Sequence, residues 1–325
     1  MAAEDLEILL LGGFGRSGLG AINQMLAPHP EVFATPYEQR LVTDPDGLLS
    51  LESALTDNWT PWQADFAIAR FRALTRNLAG KWTGTYVTSA YRERFGADYE
   101  RAVDRFLDRL VSFSYRGVWA GRATLPNKAL LRATRPRRFR FNTATIHFAP
   151  ERTKEEFREA SRELVADIYR GVAAGKRRIV VNEPFVSQSP ARCLQVTGAA
   201  RLVVVTRDPR DSFGSFHTRD WSPQELAQAV EFQRGAQQRW LRQRNALPPD
   251  VFLELKLEDL AADHAAVIRR LEAFLGIEIP PDVVAASRFS PERAHVGRWK
   301  KQFSAAEREM VNGAFAEILR EYGYE

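Results

Sequence analysis

A chain of 325 residues is long enough to bury a large core, as one elaborated domain or as two. With 45% hydrophobic and 27% charged residues it is composed like an ordinary globular protein, which excludes a disordered or fibrous chain. The formal charge of +5 is unevenly placed: residues 101–150 hold eleven Lys and Arg against Asp104 and Asp108, so positive potential belongs to one segment rather than to the whole surface.

The one cysteine, Cys193, excludes an internal disulfide framework and a cysteine-based zinc cluster and fits a reducing compartment, so a cytoplasmic location is expected. No apolar run reaches membrane-spanning length, and the run at 6–11 follows acidic residues instead of a positive n-region, so it reads as a strand.

That strand leads into a turn carrying Gly12, Gly13, Gly15, Gly18 and Gly20, with Arg16 inside it, and then into a helix. Glycine permits positive φ and close approach of a ligand to the backbone, so several N–H groups can point inward while the helix N-terminus adds its positive end. The product is an anion cradle, and phosphate is its usual guest. A nucleotide P-loop ends in Gly-Lys followed by Ser or Thr, whereas here the cation is Arg16 and Leu19 stands where a metal-holding hydroxyl would be sought. The loop therefore suits a phosphate handled without magnesium; the alternative is a purely structural glycine turn.

Pro28 and Pro30 end the helix, a short strand is expected at 32–34, and Glu38 lies just beyond it. Ligands of parallel α/β sheets bind outside the carboxyl ends of the strands, which places Glu38 near the anion loop. There a carboxylate can act as general base toward an acceptor hydroxyl; the alternative is a surface Glu paired with Arg40.

Residues 50–175 read as a large, mainly helical insertion, with helices at 64–78 and 99–113 and a turn-rich connection holding Trp82, Tyr86 and Tyr91. The basic, aromatic-interleaved run at 132–141 suits an anionic acceptor or a nucleic acid, against a solvated arginine-rich loop. A long helix at 154–173 follows, then a strand at 178–185 stopped by Pro184, a short helix at 190–196 and a buried strand at 202–206. This alternation argues an α/β fold with a parallel, doubly wound sheet.

Directly after that last strand comes Arg207-Asp208-Pro209-Arg210-Asp211, with Ser215 one to two turns into the next helix. A guanidinium and a hydroxyl facing one point hold a terminal phosphate by charge-assisted bonds. The alternative is an Asp-Pro turn whose arginines pair with Asp208 and Asp211.

Together these residues resemble the sulfotransferases that use PAPS (3′-phosphoadenosine 5′-phosphosulfate). Gly15-Arg16-Ser17-Gly18 is similar to their 5′-phosphosulfate loop, and Arg-Asp-Pro-Arg-Asp with Ser215 to their 3′-phosphate motif. Residues 251–260 look like the strand and "YEDL" region that follows, with Lys256-Leu257 in place of the aromatic end. Phe274-Leu275-Gly276 resembles the "FLG" segment, and Gly297-Arg298-Trp299-Lys300 the late Gly-x-Trp-Lys region. The resemblance covers 6–45 and 178–322 and leaves the insertion unaccounted for.

The resemblance implies a P-loop-like fold in a single sulfotransferase-like domain, PAPS as co-substrate, 3′,5′-ADP as product, and no metal. The loop from Gly13 through Phe14, Gly15, Arg16, Ser17, Gly18 and Leu19 to Gly20 would bind the 5′ side, and Arg207 and Ser215 the 3′-phosphate, with Arg298 and Lys300 as further candidates. His-Pro followed by Glu-x-Arg is similar to the tyrosylprotein branch, and several carbohydrate-modifying members also place a catalytic Glu soon after the loop. Carried over, Glu38 is the general base, Arg16 contacts the phosphosulfate, and Arg40 orients acceptor or base.

Three positions depart from the pattern. Leu19 stands where many members have Thr. Asn182-Glu183-Pro184 stands where relatives carry Lys before the Pro, which leaves Lys128 as a substitute if a lysine touches the sulfonate. The cytosolic branch uses a His base, so His147 and His217 are rivals to Glu38, set against structural roles for both.

Trp59, Trp62, Trp82, Tyr86, Tyr91 and the arginines of the insertion suit a sugar, a glycolipid or an acidic peptide alike, and of these a small-molecule or glycan hydroxyl, carbohydrate-like or glycolipid and anionic in character, is the expected acceptor. No nucleic-acid partner and no membrane span are expected. Two alternatives stand beside this reading: a P-loop kinase of a small molecule, and a non-catalytic polyanion- or nucleic-acid-binding protein built around 122–140.

Overall fold

The computed structural model describes residues 6–80, 90–117, 119, 122, 144–287 and 289–324. Trp82, Tyr86, Lys128 and the basic run at 132–141 lie outside the described residues. The chain divides into two compact units, Met1–Gln39 with Ala173–Glu325, and Arg40–Val172. The insertion expected at 50–175 falls mostly within the second.

The first unit opens with β1 (Glu7–Gly13), α1 (Leu19–Leu26) and β2 (Val32–Ala34). The second unit contributes α2 (Leu48–Leu55), α3 (Pro61–Ala79), α4 (Tyr91–Phe95), α5 (Ala97–Leu110), β3 (Phe113–Gly117), β4 (Ala144–Phe148) and α6 (Lys154–Arg170). The first unit resumes with β5 (Arg178–Asn182), α7 (Pro190–Thr197), β6 (Arg201–Thr206), α8 (Pro209–His217) and α9 (Leu226–Arg244). It ends with β7 (Phe252–Lys256), α10 (Leu257–Ala262), α11 (His264–Leu275), α12 (Pro281–Ala286), α13 (Trp299–Gln302) and α14 (Ala305–Tyr322).

The five strands of the first unit form one sheet in the order β2-β5-β1-β6-β7, and every pair is parallel. The central strand β1 is apolar without alternation because helices cover both faces of such a sheet. On one face Leu9, Leu11, Val203 and Val205 pack with Ile22 and Met25 of α1 and Leu271 of α11, all buried. At the amino ends of the strands Glu7 accepts from Arg178 Nε at 2.8 Å and from Arg201 Nη1 at 3.1 Å, an ionic clasp across three strands that pins their register. Parallel pairing puts all carboxyl ends at the opposite edge, where the chain turns from β1 into α1 and from β6 into α8.

In the second unit, Phe106 of α5 packs between Phe71 of α3 and Phe157 of α6, with ring centroids 5.5 and 6.0 Å apart. Fully buried Asp65 accepts from the backbone N of His147 at 2.8 Å and from Arg122 Nε at 2.7 Å, tying α3 to β4. The helix expected at 99–113 stops at Leu110, and Phe113 opens β3, which pairs antiparallel with β4. β3 is exposed along most of its length, so it lacks the alternation of burial by which a strand is read from sequence. No helix among the described residues is long and apolar enough to cross a membrane.

Candidate active site

The loop after β1 is held by contacts that require its glycines. A Cβ on Gly12 would sit 1.9 Å from Val186 Cγ1, and one on Gly13 would sit 2.6 Å from the Val205 carbonyl oxygen. The backbone then passes through positive φ at Arg16 (71°) and Gly18 (99°). Fully buried Ser17 closes the turn: its Oγ accepts from Phe14 N at 3.2 Å while its own N–H donates to the Phe14 carbonyl at 3.0 Å. Gly18 caps α1 without any side-chain hydrogen bond, so the first-turn N–H groups at Leu19 and Gly20 keep their capacity for an outside acceptor.

At the second junction Asp208 caps α8, its carboxylate accepting from Arg210 N at 2.9 Å. Pro209 occupies the first helical position, where no N–H is needed. Arg207 Nη2 donates to the carbonyls of Ala294 and His295 at 2.9 and 3.0 Å, whereas its Nε is buried without a hydrogen-bond partner. Buried Asp211 accepts from Gly297 N at 2.6 Å and Trp299 N at 2.9 Å. A carboxylate in α8 thus fixes the segment that carries Arg298.

Both junctions open on one cavity of ≈570 Å³, and every residue lining it belongs to the first unit. The loop lines it from Phe14 to Gly20, and Arg207, Ser215 and Arg298 line it from the other side. Arg16 Nε donates to Ser215 Oγ at 2.9 Å across the floor. Glu38 is exposed and lines the same cavity. Its segment is fixed on both sides, because Thr35 N donates to Val180 O at 2.9 Å and Gln39 N to Asn182 O at 2.7 Å.

Gly13 lies behind the cavity wall, its carbonyl accepting from Ser187 Oγ at 2.6 Å. Lys300 is not brought to the cavity: it borders a separate shallow depression with Arg308 and Asn312, its Nζ 5.9 Å from the Trp299 ring. The single turn of α13, anchored at Trp299, sends Arg298 and Lys300 to different sides. Arg40 belongs to the second unit, where its Nε donates to Asp44 at 2.8 Å and its backbone N to Tyr91 Oη at 2.9 Å.

The rival histidines lie in other settings. His217 stacks on Phe213 with ring centroids 5.6 Å apart. His147, in the second unit, meets Ser114 Oγ through Nδ1 at 2.8 Å, and burial, helped by Arg72, lowers its pKa. Asn182, where a lysine was sought, buries its Oδ1 without a hydrogen-bond partner.

Sequence reasoning missed Arg219, Thr218 and His295, which also line the cavity. Arg219 stands one turn beyond Ser215, and that spacing from a helix-borne ligand was the available signal. Burial first, and then the charges of Arg219 and Arg207, lower the pKa of Arg16, while Glu38 acts in the opposite direction. Several guanidinium groups are thus gathered against their mutual repulsion, a cost that a multiply charged anion would offset. The orphaned Arg207 Nε and the uncapped start of α1 are donors suited to phosphate oxygens, so the residues present fit a doubly phosphorylated nucleotide.

A family model described as "Sulfotransferase family" matches residues 9–281. Among solved structures the chain is similar to the sulfotransferase domain of the Synechococcus PCC 7002 olefin synthase, at 15% identity and TM-score 0.49, covering 95% of this chain and 94% of that one. It is also similar to the sulfotransferase domain from the curacin biosynthetic pathway, at 13% identity and TM-score 0.49, covering 96% and 97%. Sulfotransferase STF9 from Mycobacterium avium matches at 16% identity and TM-score 0.46, covering 100% of this chain and 78% of that one. No curated protein matches the chain.

Proposed function

Because the chain belongs to the sulfotransferase family, we propose that it moves a sulfuryl group from PAPS to an acceptor hydroxyl, with Glu38 as general base. When bound, PAPS supplies the activated sulfuryl group. Glu38 takes the acceptor proton as the acceptor oxygen bonds to sulfur, and the bond from sulfur to the bridging phosphate oxygen breaks with its electron pair left on 3′,5′-ADP. Arg16 and the first-turn N–H groups of α1 neutralise the charge that grows on the leaving phosphate, and Arg207, Ser215 and Arg298 hold the 3′-phosphate.

The observation that carries this reading is the meeting of the two strand-to-helix junctions on one cavity, joined by the hydrogen bond from Arg16 to Ser215. Arg40, two residues beyond Glu38, is assigned the orienting of acceptor or base. For the acceptor we favour an anionic, carbohydrate-like or glycolipid hydroxyl. Arg219 adds a cation beyond those assigned to the nucleotide, which suits an anionic acceptor.

Incubating the protein with PAPS and a panel of hydroxyl acceptors, with products read by mass, tests the reading. Formation of 3′,5′-ADP with an equimolar sulfated product supports it. Magnesium-dependent turnover of ATP, with none of PAPS, would replace it with a kinase.

A further inference from the structure

The nucleotide site described above makes no use of the half-buried carboxylate of Glu258. Glu258, in the first turn of α10, directs its two oxygens to different elements. Its Oε1 accepts from the backbone N of Asp208 at 2.9 Å, and its Oε2 accepts from the Tyr324 hydroxyl at 2.8 Å. The first of these bonds reaches the peptide that joins Arg207 to the cap of α8, where the side chain of Asp208 is already committed to Arg210. Nothing else hydrogen-bonds that N–H among the described contacts, so Glu258 fixes the peptide from which the Arg207 side chain departs.

Tyr324 comes to Glu258 by a defined route. Helix α14 ends at Gly323 in the left-handed conformation (φ 68°), which turns the chain back. Tyr324 N then donates to Leu319 O at 2.8 Å. Lys256, at the end of β7, donates from Nζ to the Tyr322 carbonyl at 2.5 Å and lies 4.9 Å from the centre of the Tyr324 ring. Between Lys256 and Glu258, Leu257 lines the cavity and fills the space a Cβ on Gly18 would need, its Cδ1 2.8 Å from that position. Three consecutive residues therefore grip the segment after α14, the glycine loop and the base of Arg207.

We infer that Glu258 and Tyr324 are positioning residues for the 3′-phosphate arm: the Tyr324 hydroxyl orients the Glu258 carboxylate, which holds the Asp208 peptide and so aims Arg207 into the cavity. The inference rests on the nucleotide reading given above and adds to it residues that line no part of the cavity. It separates the two ends of the nucleotide. Loosening the Asp208 peptide disturbs Arg207 and leaves Ser17, Gly18 and the start of α1 with their own contacts.

The test is isothermal titration of Tyr324→Phe, Glu258→Gln and Glu258→Ala with 3′,5′-ADP and with 5′-AMP, which lacks the 3′-phosphate, at a temperature where circular dichroism shows each variant folded. Tyr324→Phe and Glu258→Ala are expected to weaken 3′,5′-ADP binding roughly tenfold while changing 5′-AMP binding by less than about twofold. Glu258→Gln keeps a carbonyl oxygen for the Asp208 N–H and is expected to restore most of the affinity. A merely structural role would lower the melting temperature and leave the ratio of the two affinities at its wild-type value, and that result overturns the inference while the nucleotide reading stands. Wild-type protein that fails to bind 3′,5′-ADP at all overturns both.

Discussion

Arg16 Nε and Ser215 Oγ meet at 2.9 Å although 199 residues separate them in the chain. The contact joins the glycine loop after β1 to the helix after β6 and leaves the rest of the Arg16 guanidinium to serve the cavity. Ser215→Ala removes the hydroxyl alone. Binding of 3′,5′-ADP is expected to weaken about five- to tenfold, with thermal stability nearly unchanged because the pair is exposed. Titration calorimetry and a melting curve check both halves.

Glu38 lines the cavity on a segment tied to β5, and its proposed part is chemical. Glu38→Gln is isosteric and cannot take a proton. Transfer from PAPS is expected to fall by roughly 100-fold or more with 3′,5′-ADP affinity preserved. Full turnover in this variant would remove Glu38 from the role of base.

Asp211 receives two backbone N–H groups, from Gly297 and Trp299, on a side chain with no exposure. Asp211→Asn offers one acceptor oxygen and turns an amide N–H₂ toward the other donor. A loss of about 2–3 kcal/mol in stability is expected, together with weaker 3′,5′-ADP binding as Arg298 loses its anchor. Urea denaturation followed by titration of the folded fraction measures each effect.

Two glycines should respond to the same substitution with opposite signs. Gly13→Ala drives a methyl to 2.6 Å from the Val205 carbonyl oxygen, a backbone atom that cannot yield without disturbing β6. A cost of roughly 1–3 kcal/mol and impaired nucleotide binding are expected. Gly235 sits exposed inside α9 with nothing within 4 Å of its Cβ position, so Gly235→Ala is expected to add about 0.5–1 kcal/mol. Chemical denaturation of the two variants provides the comparison.

Burial raises the pKa of Glu258 above the ordinary carboxylate value, and the hydrogen bonds from Asp208 N and the Tyr324 hydroxyl oppose the shift without cancelling it. The folded state therefore holds this proton more tightly than the unfolded chain. Its contribution to stability is fully present below the unfolded pKa and is lost as pH rises through the folded one. Glu258→Gln abolishes the titration. Wild type is expected to lose stability relative to the variant as pH rises across that window, a trend measured by denaturation at stepped pH.

β1, β2, β5 and β6 were legible because each is a short apolar run bounded by a turn signal, and the two candidate phosphate junctions because they stand directly after such runs; β7, which carries Glu254 and Lys256, was legible only through the resemblance. The position of Glu38 followed from parallel topology, since one sheet edge gathers every strand's carboxyl end. Spacing could not choose between Arg298, which immediately precedes α13, and Lys300 within it. Asp211 decides it through hydrogen bonds to backbone groups, which leave no mark in side-chain pattern. β3 was hidden for another reason: with most of its residues exposed, it has no buried face to advertise. The link from Glu258 to Asp208 joins distant segments through a peptide N–H and was equally invisible.

The central claim is that one cavity holds both phosphates of a single nucleotide, and the most direct measurement is calorimetric titration of wild type and Arg207→Ala with 3′,5′-ADP and 5′-AMP. Wild type is expected to prefer 3′,5′-ADP by at least about tenfold, and Arg207→Ala to lose that preference through weaker 3′,5′-ADP binding alone. Equal affinity of wild type for the two ligands, or an unchanged preference in Arg207→Ala, would contradict it.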